Sequence, residues 1–327
     1  MRRCEEHVKP PSNPTSGIVL VDKPQGVTSH DVVARARKSI GTRKIGHAGT
    51  LDPMATGLLV LGVNHSTRLL TWVVGLDKEY TATIRLGAAS NTDDADGEID
   101  EPQDATTLAG VTDAAIAAGV QALTGPILQR PSSVSAIKVD GKRAYTLARA
   151  GEAVVLPERP VMVSAFSVLA TRRGQWLDLD VRVQCSTGTY IRALARDLGA
   201  ALGVGGHLTA LRRTRIGPFT VGAASPIGRD RDGEVDLCAA MLDPAAVATS
   251  LFTRLDLTEA EAVDLAHGRR IALFLDSDGP IAAVSPEGRL VGLVENLGGR
   301  ARVLVNFPLD FPVAAATDSP SMNMVGE

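Results

Sequence analysis

Between Leu177 and Cys185 every second residue is apolar: Leu177, Leu179, Val181, Val183 and Cys185 alternate with Asp178, Asp180, Arg182 and Gln184. A period of two puts all the apolar side chains on one face of a strand and leaves the other face wet. Tyr80, Ala82, Ile84 and Leu86 repeat the pattern. Such a chain must build a sheet with one covered side, and helical periods supply the cover. After the turn Ser186-Thr-Gly-Thr189, residues Ile191, Leu194, Ala195 and Leu198 form one helical stripe, with Arg192 and Arg196 on another face. Gly17-Ile-Val-Leu-Val-Asp22 reads as a buried strand broken by Lys23-Pro24-Gln25-Gly26. A helix follows, with Ser29 as N-cap, a stripe of Val32, Val33, Ala36 and Ile40, and Gly41 as the stop. A glycine-punctuated loop from Gly46 to Gly57 then leads into strand Leu58–Val63.

With 327 residues, the chain exceeds one small core and suits about two domains. The tract from 225 to 250 is weakly patterned and marks the boundary. Beyond it, Thr258 and Glu261 form a capping box, and Pro280–Val284, Arg289–Glu295 and Arg300–Phe307 read as a small β-module. Residues 1–15 and 310–327 read as loose tails. No apolar run approaches the ~18 residues of a membrane helix, and Glu5, Glu6, Pro10 and Pro11 stand where a signal peptide needs an apolar stretch. A cytoplasmic chain is expected. Cys4, Cys185 and Cys238 are too far apart for a thiolate zinc site, and the six histidines show no metal spacing. The net charge of -3 conceals segregation: from Arg172 to Arg215 there are eight arginines against three aspartates. Such clustering can serve as a phosphate-binding face, but on charge alone ordinary solvated arginine is the favoured reading.

Asp52 stands before Pro53, which keeps it extended on a loop whose glycines at 46, 49 and 57 permit close exposure. A carboxylate held there could serve as nucleophile or base, while Asp-Pro is also an ordinary turn starter. Arg192, near the start of its helix, could pair with a carboxylate or simply be solvated. Tyr80, Tyr145 and Tyr190 are the only tyrosines; each could stack on a base and move a proton, or pack with its hydroxyl at a rim. His47 and Lys23 have equally plain structural readings.

In order and spacing, a longer series of motifs resembles the TruB family, the bacterial tRNA pseudouridine-55 synthases. It comprises Gly17 to Val33, Lys44 to Leu59, Lys78-Glu-Tyr80, Leu86-Gly87 with Asp94-Ala-Asp-Gly97, Ser135-Ala-Ile-Lys138 with Gly141 and Tyr145, Cys185 to Gly199, and His207 to Thr214. The C-terminal module resembles the short PUA-like domain of actinobacterial members. This resemblance implies an α+β fold, a mixed, largely antiparallel sheet flanked by helices. A pseudouridine synthase domain would span 16–240 with a thumb-like insertion near 128–160, and a PUA-like domain would span 250–309. It implies Asp52 as the essential carboxylate, Arg192 as its salt-bridge partner and Asp94 as a second carboxylate in that network. Tyr80 would stack on the target base and serve the proton transfer at C5. Tyr190, Leu211 and Lys23 would line the pocket, and His47 would fill the space left by a flipped nucleotide. Two departures are Pro131-Ser-Ser-Val-Ser-Ala136 in the thumb and Ser90-Asn91-Thr92 ahead of the adjacent Asp93 and Asp94.

The implied reaction isomerises uridine to its C-glycoside in the T-loop of tRNA. It needs no cofactor and no metal, and the expected partner is the tRNA T-stem-loop, bound by a monomer. A non-catalytic RNA-binding or tRNA-folding protein is the alternative, in which Asp52 would be dispensable. A hydrolase would want Mg2+ ligands or a paired acid that the spacing does not offer.

Overall fold

The computed structural model describes residues 16–132, 138–139, 142–143, 156–228, 236–275, 277 and 279–308. Both tails and most of the thumb-like insertion, Tyr145 included, lie outside these residues. The chain divides between Val247 and Ala248 into two compact units.

The first unit is organised by a 10-stranded sheet. Its strands are β1 (Gly17–Lys23), β2 (Ile45–Ala48), β3 (Thr56–Val63), β4 (Lys78–Leu86), β5 (Gly125–Gln129), β6 (Arg159–Arg173), β7 (Leu177–Cys185), β8 (Gly206–Ile216), β9 (Phe219–Thr220) and β10 (Ser225–Pro226). Their order is β10-β1-β3-β8-β4-β7-β6-β5, with β2 on β3 and β9 on β8. All pairings are antiparallel except β1 with β10 and β3 with β8. The fold is therefore α+β with a mixed, largely antiparallel sheet. Lys138–Val139 and Lys142–Arg143 pair as a separate short ribbon.

Alternation decides which side of the sheet is covered. Residues of β4 and β7 are buried at every second position, and the polar residues between them form cross-strand pairs on the wet face. Thr83 donates to Asp180, and Arg85 makes a bidentate pair with Asp178. Two hydrophobic clusters lie beneath the covered side. One joins β1, β2 and β3 to helix α1 (Ser29–Ile40) through Val19, Val21, Val32, Ala36, Leu59 and Leu61. The other joins β4 and β7 to helix α2 (Asp113–Ala122) and helix α3 (Ile191–Ala201), through residues such as Ile84, Leu179, Ile116 and Leu194.

Thr28, not Ser29, caps α1: Thr28 accepts from the Asp31 amide and Asp31 answers with a bond to the Thr28 amide. A carboxylate three residues after a threonine makes Thr28 the better cap. Ser29 is freed for another task, described below. Gly41 ends the helix in the left-handed region, φ 75°.

The second unit is a four-stranded sheet of β11 (Thr253–Asp256), β12 (Ile281–Val284), β13 (Leu290–Asn296) and β14 (Ala301–Asn306), with helix α4 (Glu259–Ala266). The three antiparallel strands match the sequence reading; β11 adds a parallel edge strand. Thr258 and Glu261 form the expected capping box on α4.

Candidate active site

Asp52 sits on the loop between β2 and β3, and its backbone is fastened on both sides. Ser29 Oγ accepts from the Leu51 amide at 2.9 Å and donates to the Leu51 carbonyl at 3.2 Å. On the other side the Pro53 carbonyl accepts from the Gly26 amide at 2.8 Å and from Lys23 Nζ at 3.4 Å. Lys23 Nζ also donates to Pro24 and Val27 carbonyls. Lys23 is completely buried beneath the loop and does not line the cleft. Its charge goes to backbone oxygens, so the structure gives it an anchoring position instead of the expected place on the pocket wall. Leu51, Met54 and Ala55 pack into the cluster beneath β4 and β7. Between these buried neighbours the Asp52 side chain stays 38% exposed. Anchored backbone with an accessible carboxylate is the arrangement a reacting group requires.

Arg192 meets it from α3. Its Nε donates to Asp52 Oδ2 at 3.0 Å, and the same nitrogen lies 3.4 Å from Asp94 Oδ2. Nη1 donates to the Thr92 carbonyl at 2.8 Å. The Arg192 side chain is only 4% exposed, so its charge is held among these acceptors. Asp94 is buried too and accepts from Thr92 Oγ1 at 2.6 Å and from the Asp96 amide at 3.1 Å.

The adjacent aspartates Asp93 and Asp94 differ in backbone geometry and in partner. Asp93 has φ 62°, in the left-handed region, and the two carboxylates reach different arginines: Asp94 meets Arg192, and Asp93 meets Arg196 at 3.1 Å. One helical turn separates the two arginines. Burial pushes the Asp93 carboxyl up from its ordinary value, opposed by Arg196 and Arg192. Gly97 closes this loop; a Cβ there would lie 2.3 Å from Thr92 Oγ1 and 2.4 Å from Asn91 Oδ1.

Asp52 and Arg192 open onto a cleft of about 270 Å³ lined also by Tyr80, Tyr190, Leu211, Lys78 and Arg213. Tyr80, on β4, is nearly buried, and burial pushes its phenol pKa up from the ordinary value. Gln129 fixes the turn before α3: it accepts from the Tyr190 amide at 2.8 Å and donates to the Tyr190 carbonyl at 3.0 Å. His47 is half-buried on β2, outside the cleft lining, and meets His30 edge-to-face with ring centroids 5.6 Å apart. Burial, with help from His30 and Arg213, holds its pKa below the ordinary value.

Two cleft residues had no role in the sequence reading. Arg213 is 1% exposed, with Nε on the Leu58 carbonyl at 2.8 Å and Nη2 on the Gly49 carbonyl at 3.0 Å. Lys78 donates to the Val74 and Leu76 carbonyls at 2.9 and 2.5 Å; burial, reinforced by Arg213, pulls its pKa down to about 8. The Arg212-Arg213 dipeptide looks like a solvated basic pair until the strand is placed. Its two members then face opposite sides of the sheet.

Residues 37–191 match the profile of the TruB family pseudouridylate synthase N-terminal domain. Residues 192–226 and 252–308 match profiles described as tRNA pseudouridylate synthase B C-terminal domain and tRNA pseudouridine synthase II, C terminal. The chain is 60% identical over 300 residues to the tRNA pseudouridine synthase B of Leifsonia xyli, covering 90% of this chain and 97% of that one. It is 52% identical over 303 residues to the enzyme of the same name from Paenarthrobacter aurescens, covering 89% and 95%. Among solved structures, a chain of a Cbf5-Nop10-Gar1 complex superposes with a TM-score of 0.65 at 26% identity, over 89% of this chain and 85% of that one. A chain of an H/ACA RNP bound to a substrate RNA shares the fold, with a TM-score of 0.64 at 24% identity over 90% and 86%. With these similarities spanning both units, the chain belongs to the TruB family of pseudouridylate synthases.

Proposed function

We propose that this pseudouridine synthase converts the uridine at position 55 in the T-loop of tRNA to pseudouridine, with Asp52 as the essential carboxylate. The observation that carries the reading is the Arg192–Asp52 contact of 3.0 Å at the mouth of a cleft lined by Tyr80, Tyr190 and Leu211. A base inside a folded RNA loop cannot reach such a cleft unless it leaves its stack, which costs a few kcal/mol. Stacking on an aromatic ring recovers about 1–3 kcal/mol per base. Tyr80 is the ring for that task, with Tyr190 and Leu211 as neighbouring walls and His47 near the gap that the flipped nucleotide leaves.

In the reaction the N1–C1′ bond breaks, the base turns, C5 bonds to C1′, the C5 proton departs and N1 gains one. Nothing is oxidised and no group is carried in. Asp52 could attack C1′, add to the pyrimidine ring or remove a proton from C2′; each route uses a carboxylate, and Arg192 holds it in place. Asp94 holds Arg192 from behind. A phenol is protonated at neutral pH and burial only raises its pKa further, so the Tyr80 hydroxyl carries its proton for the transfer at C5. We assign the C-terminal unit as a PUA-like RNA-binding module and the working form as a cytoplasmic monomer acting on the tRNA T-stem-loop without metal or cofactor.

The test is tritium release from a T-stem-loop RNA labelled at uridine C5. Asp52→Asn, which is nearly isosteric, should release none while binding the RNA as the parent does. Substantial release by Asp52→Asn refutes the assignment, and product with an altered mass refutes isomerisation.

A further inference from the structure

The site is assembled across a short ladder inside the sheet. Strands β1, β2 and β3 form one antiparallel half, and β8, β4, β7 and β6 form the other. The halves meet where β3 runs parallel to β8, and that ladder is only two pairs long: Thr56 with Arg212 and Gly57 with Arg213. The Asp52 loop leaves the first half, whereas Tyr80, Leu211 and the Arg192 helix belong to the second. Thus the distance between the carboxylate and its partners is set at this seam.

We infer that the consecutive residues Arg212 and Arg213 are positioning residues that clamp the seam from its two faces and thereby set the Asp52 loop against Arg192 and Tyr80. On the cleft face, Arg213 reaches back across the seam to the Leu58 carbonyl on β3 and the Gly49 carbonyl at the start of the Asp52 loop. On the opposite face, Arg212 Nη1 and Nη2 make a bidentate pair with Asp22 of β1, at 3.0 and 2.6 Å, and Nη1 also reaches Thr56 Oγ1 at 3.4 Å. Gly57 lets the backbones approach this closely: at φ 102°, a Cβ would lie 2.3 Å from the Arg213 carbonyl oxygen. A planar fork that bonds two fixed oxygens transmits position in a way an ammonium does not. Displacement of a reacting group by about 1 Å can cost on the order of 100-fold in rate.

The inference rests on the proposed role of Asp52, and the experiment separates the two. Arg213→Lys, Asp22→Asn and Asp22→Glu are compared with the parent in full-length protein, under single-turnover conditions with saturating T-stem-loop RNA, alongside filter-binding Kd and thermal unfolding. Arg213→Lys should lose at least 10-fold in rate and Asp22→Asn several-fold, with Kd within about 2-fold. Asp22→Glu should keep most of the parent rate. Asp22 lies on the other face from the cleft and its ion pair is partly exposed, so its variants remain informative if Arg213→Lys fails to fold. A parent-like rate in folded Arg213→Lys or in Asp22→Asn overturns the inference, as does a loss confined to Kd, which would make these arginines RNA contacts. Turnover by Asp52→Asn, measured in parallel, would sink the reading of the site instead.

Discussion

Replacing Arg192 with lysine isolates what a guanidinium does that a point charge does not. In the structure one side chain bonds Asp52 at 3.0 Å and the Thr92 carbonyl at 2.8 Å and lies 3.4 Å from Asp94. A lysine ammonium is a single donor centre on a flexible stem and cannot span these acceptors from the same Cα. If it keeps one carboxylate, two charge-assisted interactions are lost, at about 1.5 kcal/mol each. A loss of about 3 kcal/mol in positioning at about 1.4 kcal/mol per decade predicts a rate roughly 100-fold lower. Asp94 is buried, so part of that loss also appears as reduced stability. The rate is therefore read by single-turnover tritium release well below the melting temperature, with RNA affinity measured separately. The Kd should be unchanged, because the side chain is enclosed. An Arg192→Lys enzyme within 3-fold of the parent rate refutes the reasoning, since it would mean that charge near Asp52 suffices without fixed geometry.

Asp94→Asn keeps the shape but removes the charge behind Arg192; its single-turnover rate should fall at least 10-fold with little change in RNA affinity. Tyr80→Phe retains the ring, so binding should persist while tritium release slows markedly; equal rates would leave the hydroxyl without a role. Gly57→Ala should lower stability by about 1–3 kcal/mol in urea unfolding, since the new Cβ meets backbone atoms of Arg213 at a strand position with positive φ. Lys78 gives a pH test. Its folded pKa of about 8 lies below the ordinary 10.5, so between these values the unfolded chain binds the extra proton and stability rises with pH. Below pH 8 both states are protonated and the burial cost is felt in full. Lys78→Met should remove this rise, narrowing the change in unfolding free energy between pH 8 and 10; an identical slope in both proteins contradicts the burial argument.

The elements with unbroken periods were legible in the sequence. Strands β4 and β7 alternate without interruption, and every apolar position named for them is buried. The stripe on α3 was equally clear. Strand β6, the longest, was not read: it changes register between Val163 and Ala165 and again between Val168 and Ala170, which destroys its period of two. Helix α2 buries only Ile116 and Val120, too little stripe to stand out among alanines. The Thr28 cap had a signal in Asp31 three residues on, but the neighbouring serine obscured it. At the site, Asp52 and Arg192 followed from family motifs, not from spacing, because their partnership spans 140 positions. The burial of Lys23 and Arg213 could not be read at all, since charged residues are rarely enclosed and only the tertiary placement of carbonyl acceptors reverses that preference.

That separation along the chain also predicts that the site forms late and as a unit. Asp52 is emitted by the β1–β3 half, but its neighbours Leu51, Met54 and Ala55 are buried in the cluster under the other half. The loop therefore acquires its packing only when the second half exists. Arg192 gains its partners only when the loop and the Asp93–Asp94 turn are both in place. The turn is itself pinned to β8, where the Leu208 amide donates to the Asp93 carbonyl and the Ala95 amide to the Leu208 carbonyl. No local segment holds two of the three residues Asp52, Asp94 and Arg192 on its own backbone. Each contact closes a long loop, whose entropy is recovered only by the joint burial of both clusters. Partial opening of the two-pair seam should consequently abolish activity before it produces global unfolding. In rising urea, single-turnover activity should fail at a lower concentration than far-UV circular dichroism, and coincident curves would show that the seam has no stability of its own to lose.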